Sequence, residues 1–140
     1  MYFYVEPEVS GGLGNETVID SSTHPPIVSA LHYQFHGWLG DEIIESFPCY
    51  IVSKSLKESI ESHRPTGVSF SAVKISKSEQ FLDLYPNKVI PNFYWLKASG
   101  KVGFDDFGIS DDFRLVVSSK ILQSFQKHHF KNADIEPYKE

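Results

Sequence analysis

The sequence predicts a single α+β domain over residues 1–140, with a mixed or antiparallel sheet and a few short helices. Its length is that of one ordinary domain. Aromatic residues make up 14% of the chain and stand in short alternating apolar runs, which favours strands over long helices. A strand-helix-strand segment occurs twice, and two such units bury the apolar faces of their helices against one core.

The strands are predicted from short apolar runs that end at glycine, proline or polar turn residues. In chain order they cover 2–5, 31–35, 49–52, 68–75, 93–96 and 115–118. Turns or loops are predicted at 11–15, 37–41 and 100–110, because glycine and asparagine there tolerate positive φ. Asp41 is expected to cap a short apolar turn at 43–44.

The repeated unit is centred on two serines, Ser53 and Ser118, which follow a strand and are natural N-caps for an amphipathic helix. At the offset of 65 residues between them, the apolar positions of the two helices coincide. A short connection and another strand follow each helix, and a third short helix or a turn is predicted over 78–85. The core is expected to include Leu56, Ile60, Phe93, Trp95, Val117, Ile121 and Phe125.

Negative charge is concentrated at the start of the chain. Residues 1–50 hold seven carboxylates and no Lys or Arg, within a net charge of −5 for the whole sequence. This distribution argues against nucleic acid as a partner, because phosphate contacts need clustered Lys and Arg. An acidic surface attracts a basic partner, although it also serves solubility alone.

Two stretches supply the candidate binding residues. The carboxylates of both stretches either bind a basic partner or are simply solvated. Trp38 is either an interface anchor or a core residue at a strand end. The candidates are Trp38, Asp41, Glu42 and Glu45 in the first stretch and Asp105, Asp106, Asp111 and Asp112 in the later loop.

The residues that could carry enzyme chemistry do not form a recognisable motif. His32 and His36 share one face, but a zinc site needs a third ligand and the HExxH spacing is absent. His128 and His129 suit the carboxyl end of a predicted helix. The single cysteine, Cys49, is expected in a buried strand, where its thiol is inert. We therefore predict no enzyme activity, no metal and no cofactor.

Two alternatives to a binding protein remain open at this point. One is a small metal-dependent hydrolase that uses His32 and His36, and the other is a non-catalytic scaffold or regulatory domain. The chain contains neither an apolar window of membrane-spanning length nor a signal-peptide pattern at its start, so we expect a cytoplasmic protein without a membrane partner.

Five motifs, in this order and spacing, extend over most of the chain, and Ala-Asp-Ile-Glu at 133–136 follows the last helix. They are Gly-Trp-Leu-Gly-Asp at 37–41, Phe-Pro-Cys-Tyr-Ile-Val at 47–52, Phe-Tyr-Trp-Leu at 93–96, Asp-Asp-Phe-Gly-Ile at 105–109 and Leu-Val-Val-Ser at 115–118. Together they resemble a bacterial family of predicted immunity proteins from polymorphic-toxin loci, which is named for a Myxococcus member and was formerly a domain of unknown function. The resemblance implies a cytoplasmic antidote that binds a cognate toxin domain, such as a basic nuclease, and blocks it by occlusion. It implies no catalytic residues. We expect the protein to be a monomer or a weak dimer.

Overall fold

The computed structural model describes residues 1–139 and confirms the α+β class. Three short helices are present, and they are α1 (Lys54–Glu61), α2 (Glu79–Leu84) and α3 (Ser119–Gln126). The strands are β1 (Tyr2–Glu6), β2 (Gly11–Leu13), β3 (Val18–Asp20), β4 (Ile27–Ala30), β5 (His32–Phe35), β6 (Ile43–Ser46), β7 (Cys49–Ser53), β8 (Val68–Ser71), β9 (Lys74–Lys77), β10 (Phe93–Ala98), β11 (Phe107–Ile109), β12 (Leu115–Ser118) and β13 (Asp134–Pro137).

Two four-stranded antiparallel sheets repeat the same plan. The first sheet has the order β6-β7-β10-β8, and the second has the order β11-β12-β1-β13. In both, a hairpin leads into the strand before the helix, and the strand after the helix pairs with a central strand. The registers agree as well, because Leu96 lies opposite Phe70 in the first sheet and Val5 lies opposite Ile135 in the second. The predicted repeat is therefore confirmed, with β1 completing the second unit from the other end of the sequence.

The two units share one core, and its members occur in equivalent pairs. Six of these pairs are buried together, namely Val5 with Leu96, Ile43 with Phe107, Tyr50 with Leu115, Val52 with Val117, Leu56 with Ile121 and Ile60 with Phe125. The side chains of Ser59 and Ser124, which are also equivalent, form a hydrogen bond of 2.6 Å between α1 and α3. An approximate two-fold axis therefore passes between these helices, and all seven predicted core residues are buried.

A third layer closes the outer face of the first sheet. Strands β2 and β9 flank β5, with β5 and β9 parallel, and α2 packs beside them. Phe35 and Phe81 of this layer pack in one buried cluster with Phe93 and Trp95 of the first sheet. Five of the twenty aromatic residues of the chain are buried in this cluster.

The structure corrects five details of the predicted elements. Residues 11–13 and 43–46 are strands rather than turns, and the predicted loop at 100–110 contains β11. The predicted strand at 68–75 is two strands, β8 and β9, which belong to different sheets. Asp41 caps no helix, because the segment that follows it is β6. These segments are short, so local propensity does not identify them even where the partner is the next strand, as β7 is for β6 and β12 is for β11.

Candidate binding surfaces

Glu42 and Asp106, both predicted binding residues, are equivalent in the two units and join them. The Glu42 carboxylate accepts hydrogen bonds from the hydroxyl of Ser53 (2.7 Å) and from the backbone N–H of His129 (3.0 Å). The Asp106 carboxylate accepts them from the hydroxyl of Ser118 (2.8 Å) and from the backbone N–H of Thr66 (3.0 Å). Each carboxylate thus ties the start of one helix to the segment that follows the other helix.

The charges of these two groups are stabilised within the fold. Burial opposes ionisation of Glu42, but hydrogen bonds from Ser53 and His129 and the nearby charge of His128 hold its pKa below the usual range. Burial likewise opposes ionisation of Asp106, and its hydrogen-bond donors together with Lys120 lower its pKa. Both carboxylates are therefore ionised structural groups whose oxygen atoms are already hydrogen-bonded.

Asp41 does not belong to the expected acidic surface, because it is only 1% exposed. Its carboxylate accepts hydrogen bonds from the backbone N–H groups of Lys131 (3.0 Å) and Asn132 (2.8 Å), and from the side-chain amide of Asn132 (3.0 Å). Asp105 also stabilises backbone structure, because its carboxylate accepts a hydrogen bond from the backbone N–H of Lys101 (2.6 Å) within the same loop. The sequence could not distinguish these structural carboxylates from free ones, since Asp41 contacts residues some ninety positions away.

The remaining candidate carboxylates have two different environments. Glu45 is partly buried at the end of β6, where burial and the neighbouring charge of Glu6 raise its pKa to about 7. Asp111 and Asp112 are exposed. Asp112 forms an ion pair with Arg114, whose Nε lies 2.8 Å from the carboxylate. Of the seven predicted carboxylates, these last two project furthest into solvent.

The loop that carries Trp38 is held by a buried carboxylate that the sequence did not single out. Glu8 is 6% exposed, and its carboxylate accepts hydrogen bonds from the backbone N–H groups of Leu39 (2.8 Å) and Asp41 (3.3 Å). Trp38 donates its indole N–H to the carbonyl of Asp41 (2.9 Å). Gly40 adopts a φ of 110°, which favours glycine. Residues 37–41 are therefore held by hydrogen bonds to a buried carboxylate on both sides of Gly40.

Apolar side chains are exposed around this loop. Leu39 is 73% exposed, Val9 67% and Tyr85 42%. With Trp38 they line a groove of about 400 Å³. The inner side of Trp38 packs against Phe93, with ring centres 6.0 Å apart, so the residue joins the core to the surface. Val9 and Tyr85 carry no motif by which a sequence would identify them.

Two of the histidine and cysteine candidates, His32 and Cys49, are buried in the fold. His32 is buried, and its Nδ1 accepts from the backbone N–H of Glu16 (3.2 Å), so its Nε2 donates to the hydroxyl of Ser76 (2.7 Å). His36 is exposed. Burial raises the pKa of Cys49 to about 12. Over residues 1–139, no three His, Cys, Asp or Glu side chains are grouped so that they could hold a metal ion.

Comparison with known proteins adds no relative to this description. No protein-family model matches the chain, and no curated protein sequence matches it. The resemblance to immunity proteins therefore rests on the sequence motifs themselves. Within the described part of the chain, no helix combines the length and the apolar character needed to cross a bilayer.

Proposed function

We propose that this protein is a cytoplasmic immunity protein that binds a cognate bacterial toxin domain and blocks it by occlusion. The observation that carries the proposal is the exposed apolar surface formed by Val9, Leu39 and Tyr85 beside Trp38. Contiguous exposed apolar side chains mark protein interaction sites, and tryptophan and tyrosine are frequent in the residues that dominate binding energy. The protein acts in this proposal by binding alone, without a metal, a cofactor or catalysis, as a monomer or weak dimer.

The rigidity of the loop supports a binding role for this surface. Glu8 holds the backbone on both sides of Gly40, and Lys88 donates to the carbonyl of Trp38 (2.5 Å). A contact surface that is already ordered before binding loses little conformational entropy in the complex. Leu39 is thus presented to solvent on a fixed backbone, as expected for a side chain that enters an apolar pocket of the toxin.

Charge supports the proposal from a second direction. The first fifty residues carry seven carboxylates and no Lys or Arg, and Glu6, Glu16 and Asp20 among them are exposed. Such a surface accelerates the approach of a basic toxin and makes the association rate fall as salt is added. Apolar contact then accounts for most of the lifetime of the complex.

The proposal is tested by sequencing the neighbourhood of the gene for a toxin-like gene and co-expressing its product with this protein; the absence of any such neighbour would count against the proposal. We expect the wild-type protein to form a purifiable complex and to rescue cells from the toxin. Leu39→Asp should weaken the complex at least tenfold, because it places a charge in an apolar contact. Ile27→Asp is the matched control, since Ile27 is 58% exposed on β4 and lies outside the groove.

The two variants together decide the matter. Equal binding of wild type and Leu39→Asp would remove the groove from the interface. Failure of the wild type to bind or to protect would overturn the immunity function itself.

A further inference from the structure

The outer faces of the two sheets are equivalent in strand register, but only the first sheet has a further layer of the protein packed on its outer face. Trp95 lies opposite Ile51 in the first sheet, and Tyr4 holds the same place in the second. Trp95 is buried by the layer of β2, β5, β9 and α2. Tyr4 and its neighbour on the same face, Tyr2, are partly exposed. The second sheet therefore lacks the layer that closes its counterpart, and its outer face is partly open to solvent at β1, although Val116 beside Tyr4 is buried.

Residue chemistry on this face also differs from that of its counterpart. Apolar groups dominate the closed face, whereas tyrosine and carboxylate side chains dominate the open one. Because residues that are paired across strands point to the same side, Glu136 stands beside Tyr4 and Asp134 beside Glu6. Asp111 and Asp112 line a cavity of about 340 Å³ next to Tyr4. The acidic groups outnumber the cations here, with five carboxylates in Glu6, Asp111, Asp112, Asp134 and Glu136 against Arg114 and Lys139.

One guanidinium group is already bound on this face, and it comes from the chain itself. The Cζ atom of Arg114 lies 3.6 Å from the centre of the Tyr4 ring. Its Nε is 2.8 Å from the carboxylate of Asp112, and its Nη1 is 3.5 Å from that of Glu136. An aromatic face with carboxylates at its edge is the arrangement that favours arginine over lysine.

We propose that this open face, formed by Tyr4, Glu6, Asp112, Asp134 and Glu136, binds an arginine-rich surface of a partner protein. Charge complementarity selects a basic partner. Arg114 and Tyr138 already pack on the Tyr4 ring, so the partly exposed Tyr2 is the tyrosine that supplies contact area to an incoming arginine. The identity of that partner as the toxin rests on the proposed function, whereas the recognition chemistry does not. The face lies in the second sheet, and the groove at Trp38 is a separate surface.

A defined peptide tests the recognition chemistry without any toxin. Decapeptides of arginine and of lysine are titrated into the ¹⁵N-labelled full-length protein, and amide chemical shifts are followed by NMR. We expect shifts on β1, β12 and β13, and binding of the arginine peptide at least threefold tighter than that of the lysine peptide. Shifts confined to other surfaces, or equal affinity for the two peptides, would overturn the inference.

Two double variants separate local recognition from overall charge. Asp134→Asn with Glu136→Gln removes two negative charges from the face, and we expect at least fivefold weaker binding of the arginine peptide. Glu58→Gln with Glu79→Gln removes two exposed charges from α1 and α2 and should change affinity less than twofold. Equal losses in the two variants would show that only the net charge matters, and the proposal would then fail.

The same variants connect this face to the proposed function. If wild type binds the neighbouring toxin and Asp134→Asn with Glu136→Gln binds it at least fivefold more weakly, the toxin is the partner of this face. If the toxin binds both equally, the face does not bind the toxin and that part of the proposal is wrong. If wild type does not bind the toxin at all, the immunity function fails, and the peptide titration alone decides whether the face recognises arginine.

Discussion

Carboxylates in this protein have different tasks according to what surrounds their oxygen atoms. Glu42 and Asp106 accept hydrogen bonds from both units, and Asp41 is buried among backbone N–H groups. Glu45 is the exception, because burial raises its pKa and its carboxylate stands near Glu6. Unlike the others, this side chain therefore opposes folding when it is ionised.

The pH dependence of stability should reveal Glu45. Its pKa rises from 4.5 to about 7 on folding, so the folded state holds the proton more tightly and the free energy of unfolding falls as pH increases through that window. Glu45→Gln should match wild type near pH 4 and be more stable at pH 8. Urea unfolding at pH 4, 6 and 8 measures this difference. Glu79→Gln makes the same change at an exposed position and should show the wild-type dependence of unfolding free energy on pH. If Glu45→Gln also showed the wild-type dependence, the raised pKa of Glu45 would be contradicted.

The sequence alone predicts some residues of the candidate site and not others. Trp38 is a candidate from the sequence because tryptophan is frequent at interfaces. The structure places it beside exposed apolar side chains, and its role in binding stays a prediction. Glu8 was missed because its hydrogen-bond partners lie more than thirty residues away. One signal was present, since acidic pairs at 41–42 and 105–106 precede the two N-cap serines at similar distances. That repetition indicates a structural task for both pairs.

At the scale of elements, the two strand-helix units are alike in backbone and different at their caps. Ser53 accepts from the backbone N–H of Leu56 (3.0 Å) while donating to Glu42. Ser118 occupies the same N-cap position without a side-chain cap hydrogen bond, and its hydroxyl donates to Asp106. The expectation of two equivalent caps is therefore correct in position and wrong in hydrogen bonding for Ser118.

This difference predicts unequal effects of alanine at the two serines. Ser53→Ala leaves a buried N–H without its acceptor and should cost about 1–2 kcal/mol of unfolding free energy. Ser118→Ala removes a single hydrogen bond and should cost about 0.5–1 kcal/mol. Chemical denaturation of both variants under one buffer condition compares them. A larger loss for Ser118→Ala would show that the Asp106 contact matters more than the cap.

The elements that sequence analysis found are those with local signals, such as N-cap serines and dense apolar runs. Strands β7, β10 and β12 and all three helices belong to this group. Strands β2, β3 and β11 have three residues each, which is too few for an alternating pattern, and they are strands because a paired neighbour supplies hydrogen bonds. No local propensity encodes that pairing, and for the same reason the parallel contact of β5 with β9 was not foreseen.

For the molecule as a whole, the shared core makes the two units one folding entity. Phe125 and its equivalent Ile60 are both fully buried in the same cluster, so neither unit has a core of its own. Replacing either one should therefore weaken both units together.

Alanine at either position tests this unity. Phe125→Ala should cost about 3–5 kcal/mol and Ile60→Ala about 2–5 kcal/mol, because each leaves a cavity in the common core. Unfolding should stay a single transition when followed by tryptophan fluorescence and by far-UV circular dichroism. Two separated transitions would show that the units are independent, and a loss below about 1 kcal/mol for Phe125→Ala would contradict its place in the core.

The position of β1 has a consequence for how the chain is made. This strand lies between β12 and β13, so its hydrogen-bond partners are synthesised more than a hundred residues after it. At about 5–20 residues per second, the ribosome leaves it unpaired for on the order of ten seconds. Tyr2–Glu6 is rich in aromatic residues and so offers neighbouring nascent chains a template for aggregation during this interval. The second sheet is completed only after residue 137 has left the ribosome. Until then, β1 is an unpaired strand to which a chaperone can bind.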